Sequence, residues 1–314
     1  MNASAAFPLI TLQPVMDAKN AWIALLLEGD IPFDSTSLGH ILGDSTLAEL
    51  LASIDWIAAI DLTGTDAALD AALPPALRQH LLTGPVPGAT QATTLSTSPA
   101  VPTPKGDPTT RALLLKMLSL VTTDADSADI EALIKRDTNL SYHLLKLVNS
   151  VAFSPGKKIT NFSQAIAMIG RRQLQRWLQL LLYARSQGST VASPLMPRAA
   201  LRASLMENLA KRKGLSRDLQ DHAFMTGMFS LLDLLFGSPL AGIIAPLNLS
   251  EDVVQALTTG NGQFGSLLAA VKANEGPPTP ALTAALIAAG IAHTDWASAL
   301  AEAMHWAVQI SKES

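Results

Sequence analysis

Residues 129–153, DIEALIKRDTNLSYHLLKLVNSVAF, and residues 159–182, ITNFSQAIAMIGRRQLQRWLQLLL, decide the fold. In the first stretch Ile130, Leu133 and Ile134 belong to a helix opened by Asp126 or Ser127. Leu144, Leu147, Val148 and Val151 then recur at i, i+3, i+4 and i+7, which is one apolar stripe along a helix. In the second stretch Thr160 is a cap ahead of Ile166 and Ile169. Beyond Gly170 the stripe Leu174, Trp177, Leu178, Leu181, Leu182 continues at the same spacing. Polar residues fill the opposite faces, so these segments predict helices that share a core.

Moving outward, the helical pattern runs from residue 108 to the end. Asp107 is an N-cap with Pro108 at the first helical position, a favoured pairing because proline lacks the N–H that would be orphaned there. Ser216 caps a helix containing Phe224 and Met228. Ser250, with Glu251 and Asp252 in the first turn, opens another that Gly260 ends, and acids there complement the helix dipole. Upstream, residues 83–107 are rich in Pro, Thr, Ser and Gly and predict a linker. Residues 1–82 mix signals. The apolar runs 7–12 and 21–27, separated by Asp17-Ala18-Lys19-Asn20, predict a hairpin. Leu38 to Ile54 has helical spacing, and Ile57-Ala58-Ala59-Ile60 predicts a third strand. The expected organisation is a small α/β domain over 1–82, a linker over 83–107 and an all-α domain over 108–314.

Composition narrows the function. Of 314 residues 48% are hydrophobic and 15% charged, enough for a core and too apolar for a disordered chain. The net charge of −4 is the wrong sign for a protein held on DNA by phosphate neutralisation, so nucleic acid ranks below protein as a partner. With no cysteine there is no disulfide, no thiolate nucleophile and no Cys-type zinc site. MNASAAFPLI lacks a basic signal-peptide region. The apolar stretch Phe224–Leu247 is broken by Gly237, Pro239, Gly242 and Pro246, so it predicts a core helix and turn, not a membrane span. A cytoplasmic protein is expected.

Motifs that would carry chemistry are weak. Gly260-Asn261-Gly262-Gln263-Phe264-Gly265 matches GxGxxG, yet a helix precedes it where a dinucleotide site needs a strand. The acidic cluster Asp124, Asp126, Asp129, Glu131 lacks the Gly and Glu of a calcium loop. Asp221-His222 reverses the order of a metal doublet, and adjacent helical residues point about 100° apart. No serine elbow or phosphate loop occurs. Arg171, Arg172 and Arg176, with Gln173, Gln175 and Gln179, lie beside the apolar stripe. They form either a solvated helix face or an interaction face for a protein or phosphate-bearing partner.

The two opening stretches closely resemble the HDOD (HD-related output domain) family. Ile134, Asp137, Leu140, Ser141, Leu147, Asn149, Ser150, Phe153, Ile159, Ala165, Gly170, Leu174 and Trp177 fall on its pattern, and AFMTGMFSLLDLLFGSPL fits its later half. The resemblance covers about 108–310. It implies a mainly α fold, an HD-like helical bundle, related to metal-dependent phosphohydrolases in which one helix supplies a His-Asp doublet. Aligned on Ala223 and Gly227, that doublet falls at Ser230 and Leu231, and the upstream helix has Ala203 near the place of a further histidine. Serine and leucine cannot replace imidazole and carboxylate as ligands. LQPVMDAKNAWIALLLEG resembles the opening of EAL domains, which hydrolyse cyclic di-GMP in active members. The motif glutamate falls at Ala24 and the family arginine near Glu28, so this resemblance implies a truncated, inactive remnant. The expectation is a non-catalytic bacterial signalling module with no cofactor and no metal, working through protein partners, a second copy of itself among them. Asn149 is expected to be a buried polar group fixing helix packing. The alternatives are an HD-type phosphohydrolase of nucleotides or cyclic dinucleotides, and a nucleic-acid binder using Arg171, Arg172 and Arg176.

Overall fold

The structure, a computed structural model, describes residues 8–16, 22–30, 56–59, 81–82, 108–123, 126–134, 162–184 and 195–312. The expected helices over 38–54 and around Leu144–Val151, the linker 83–107 and Asn149 lie outside the described residues.

The apolar runs near the N-terminus form strands. β1 (Ile10–Met16) and β2 (Trp22–Gly29) pair antiparallel, from Ile10 opposite Gly29 to Val15 opposite Ala24. β3 (Trp56–Ala59) lies parallel to β2, and β4 (Leu81–Leu82) parallel to β3, giving the order β1-β2-β3-β4. The hairpin and third strand are thus present, with a parallel continuation that the sequence patterns did not specify.

Eleven described α-helices follow: α1 (Pro108–Thr122), α2 (Ser127–Ile134), α3 (Phe162–Ala184), α4 (Leu195–Arg212), α5 (Arg217–Phe229), α6 (Leu232–Phe236), α7 (Leu240–Ile244), α8 (Glu251–Thr258), α9 (Gly262–Ala273), α10 (Pro280–Ala289) and α11 (His293–Lys312). The protein is mainly α, as its periodicity predicts. Gly170, at φ 75° and ψ 158°, interrupts α3 and separates the Ile166 turn from the Leu174 stripe. Ser216 caps α5 by accepting the Leu219 N–H at 3.4 Å. The GxGxxG match is the turn between α8 and α9. Residues 224–247 break into α5, α6, α7 and a 3-10 turn at Ala245–Leu247, and no helix among the described residues is long and apolar enough to cross a membrane.

The chain forms two compact units that do not follow its order. The first comprises Met1–Pro102, Pro194–Leu231 and Glu251–Ser314, and the second Thr103–Ser193 and Leu232–Ser250. In the second, α1 packs on α3 and on the 3-10 turn, burying Met117, Leu118, Leu174, Leu178 and Leu247. In the first, α4 is the central helix, packed between α5 and α11, with Leu205, Leu209, Phe229 and Leu300 fully enclosed.

Two contacts define the first unit. A Cβ at Gly227 would stand 2.5 Å from the Arg202 carbonyl and 2.6 Å from the Ala203 Cα, so α5 crosses α4 backbone against backbone. Gly227→Ala is expected to lower stability by about 3 kcal/mol, the upper end for overpacking, as read from the urea midpoint. The second contact involves β1, the edge of the sheet. Leu9 exchanges bonds with Asp30, its N–H donating to Oδ1 (2.8 Å) and its carbonyl accepting the Asp30 N–H (3.0 Å). The carbonyl of the next residue, Ile10, accepts the indole N–H of buried Trp296 on α11 at 2.8 Å. An edge strand presents unpaired backbone groups that invite mispairing; here the indole takes up one of them.

Candidate functional site

Arg198 and Arg202 stand i, i+4 on α4, so they share one face of that helix. Alanine, leucine, methionine and arginine favour the helix, Pro197 sits in its first turn where its missing N–H costs nothing, and Lys211 and Arg212 suit its C-terminal end. Where α5 crosses at Gly227, the helix ends at Ser230, which brings that side chain to Arg202. From a third direction α9 ends at Asn274, and Glu275 follows.

The groups converge closely. Arg202 Nε donates to Glu275 Oε1 at 2.5 Å and its Nη2 to Oε2 at 2.8 Å, a two-point pairing. Its remaining nitrogen, Nη1, donates to Ser230 Oγ at 2.8 Å and approaches the Ser230 carbonyl at 3.4 Å. The Ser230 hydroxyl donates in turn to the Gly227 carbonyl at 2.7 Å. Arg198 Nη2 also donates to Glu275 Oε2. Arg202, Ser230 and Glu275 are all buried, at 5%, 7% and 7% exposure. Burial alone pushes the Glu275 carboxyl up. The hydrogen bonds and charges of Arg202 and Arg198 outweigh it and hold the group below its ordinary value of 4.5. Arg198 Nε and Asn274 Oδ1 are buried without a hydrogen bond.

The expected doublet positions are therefore brought together with the upstream helix. Ala203, Ser230 and Leu231 are all buried. A divalent ion does not fit among them. They offer a methyl, a hydroxyl and a hydrocarbon, and a guanidinium already holds the hydroxyl; a fixed positive charge at that distance repels a second cation. Among the described residues no cluster of three or more His, Cys, Asp or Glu could hold a metal.

Other predicted positions fall elsewhere. Arg172 and Arg176 are half-buried on α3 and already interact within the fold, while the Arg171 side chain lies outside the described residues. Gln179, on the same helix, is buried with neither end of its amide bonded. His222 is half-buried, its ring edge-on to Phe264 at 6.3 Å. Ala24 is fully buried, and half-buried Glu28 has its carboxyl pushed up by burial.

Sequence reasoning missed Arg198, Arg202 and Glu275. The available signal was charge on the wrong face: two arginines at helical spacing among Leu195, Leu201 and Leu205, where a core stripe should be apolar.

Comparison with known proteins agrees with this architecture. Residues 108–236 match the HDOD domain model, so this part of the chain is an HDOD domain, of a signal-transduction family. Uncharacterized protein YuxH of Bacillus subtilis is 32% identical over 141 residues, covering 44% of this chain and 34% of the relative. Cyclic di-GMP phosphodiesterase CdgJ of Vibrio cholerae is 27% identical over 189 residues, covering 60% of this chain and 43% of the relative. An uncharacterized protein of Treponema pallidum is 29% identical over 161 residues, covering 31% of its own length. The chain thus spans less than half of each of these relatives. No solved structure gives a significant match.

Proposed function

We propose that the chain is a non-catalytic signalling module of the bacterial cytoplasm, which acts through protein–protein contact. The observation that carries this reading is the Arg202–Glu275 pair, whose guanidinium also holds Ser230, the residue that the resemblance aligns with the metal doublet of catalytic HD relatives. Metal-assisted phosphoester hydrolysis needs an ion with an open coordination position to deliver water. A hydroxyl held by a guanidinium supplies no such position. The N-terminal strands are read as an inactive EAL-like remnant: Ala24 has no carboxylate, and Glu28 is an acid where that family has an arginine.

A second reading has a specific motive: the relative CdgJ is named a cyclic di-GMP phosphodiesterase. One experiment separates the two. Purified protein is assayed for bound iron, manganese and magnesium, then incubated with cyclic di-GMP and with bis-p-nitrophenyl phosphate plus Mg2+ or Mn2+. The expected outcome is no stoichiometric metal and no turnover above buffer. A stoichiometric metal with metal-dependent turnover favours the hydrolase and ends the first reading. Nucleic-acid readout through Arg171, Arg172 and Arg176 has less support, because Arg172 and Arg176 are already engaged in the fold.

A further inference from the structure

We propose that the Arg202 guanidinium is a built-in substitute for the metal ion of catalytic HD relatives, a covalently tethered cation that joins α4, α5 and the end of α9. The proposal rests on the reading that no metal is held here, and it adds what holds these helices together instead.

The geometry carries it. A metal in such a bundle does two separable things: it cross-links helices through convergent ligands, and it activates water. Arg202 keeps the first. Its nitrogens reach two carboxylate oxygens of Glu275, together with the hydroxyl and carbonyl oxygens of Ser230. Four oxygens from two further chain segments around one cation resemble a hard-ion coordination shell in chemistry. The planar fork of a guanidinium suits such a set of acceptors where an ammonium would act as a point charge. The second role is absent, because a guanidinium does not deprotonate in proteins and has no vacant coordination position. Gly227 makes the arrangement geometrically available. Its lack of a side chain lets α5 lie directly on the Arg202 backbone, so that Ser230, one turn on, reaches Nη1.

The proposal predicts that a soluble cation can take over when the tethered one is removed. Arg202→Ala, made in an Arg198→Ala background because Arg198 also holds Glu275 Oε2, leaves the Glu275 and Ser230 oxygens around a vacancy, and the Arg202 change is expected to lower the Tm by about 6–20 °C. Adding methylguanidinium or Mg2+ should then raise the Tm with a saturable concentration dependence, beyond the effect of NaCl at equal ionic strength. Neither cation should do so for the unaltered protein or for Arg202→Ala/Glu275→Gln in that background. No saturable rise with either cation, or an equal rise in the double variant, overturns the proposal.

Should Arg202→Ala not fold, Arg202→Lys and Arg202→Met decide. A lysine variant that keeps most of the Tm lost by the methionine variant supports a cation requirement, and a methionine variant as stable as lysine or more so overturns it. The readout is stability of variants, so it stays distinct from the turnover and metal content that test the function itself.

Discussion

Glu275→Leu is expected to lower the unfolding free energy by about 3–5 kcal/mol, because it strands two guanidiniums around a side chain that can no longer accept from them. Urea denaturation of the full chain measures it. The loss should be strongly non-additive with Arg202→Met. In the double variant the interior charge of Arg202 goes with its partner, and replacing a buried pair by apolar groups is often close to neutral. The double variant should therefore be more stable than Glu275→Leu alone. A sum of the two single effects would show that the groups act independently, contrary to their two-point pairing.

The same carboxylate sets an acid limit. Its folded pKa lies below 4.5, so the unfolded chain binds a proton there more readily than the folded one. Its contribution is complete above the ordinary glutamate range and is lost as pH falls through the lower folded value. Stability followed downward from pH 6 should drop less steeply below about pH 4.3 in Glu275→Gln than in the unaltered protein. Equal slopes would mean that Glu275 is not held ionised by its arginines.

Trp296→Ala should also cost about 3–5 kcal/mol, the range for emptying a buried aromatic site. The residue has no exposed surface, and its indole N–H satisfies the carbonyl of Ile10. Trp296→Phe separates the two contributions. It keeps most of the apolar volume and leaves the carbonyl unmet, a loss of about 1–3 kcal/mol. Chemical denaturation of both variants checks this, and a phenylalanine variant equal to the unaltered protein would show that the bond contributes nothing.

Much of the fold was legible because its signals are local. Ser216 three residues before Leu219, Pro108 at a helix start, and Gly260 after Thr258 each act within one turn of themselves. The alternation of helix and turn over 224–247 was readable from Gly237, Pro239 and Pro246 for the same reason. The resemblance sets Ser230 and Leu231 at the doublet and Ala203 near the place of the further histidine, and the crossing at Gly227 lies against Ala203. What took their place as chemistry was not legible. Arg202 and Glu275 are 73 positions apart, and nothing local to either requires the other. Glu275 even sits just beyond a helix C-terminus, where the dipole disfavours a carboxylate, so local rules argue against it. The pairing is a tertiary fact. On the arginine face at 171–176, Arg172 and Arg176 are half-buried, an exposure that helical periodicity alone does not fix.

The indole bond between Trp296 and Ile10 spans 286 positions, and this has a consequence during biosynthesis. The first strand leaves the ribosome long before the helix that covers its border has been translated. At about 5–20 residues per second the delay is roughly 15–60 s, far longer than a hairpin needs to form. For that interval a nascent strand presents backbone that neighbouring polypeptides on a polysome could pair with. The chain is therefore expected to depend on a holding chaperone while it is being made, and to give poorer yields where that capacity is low.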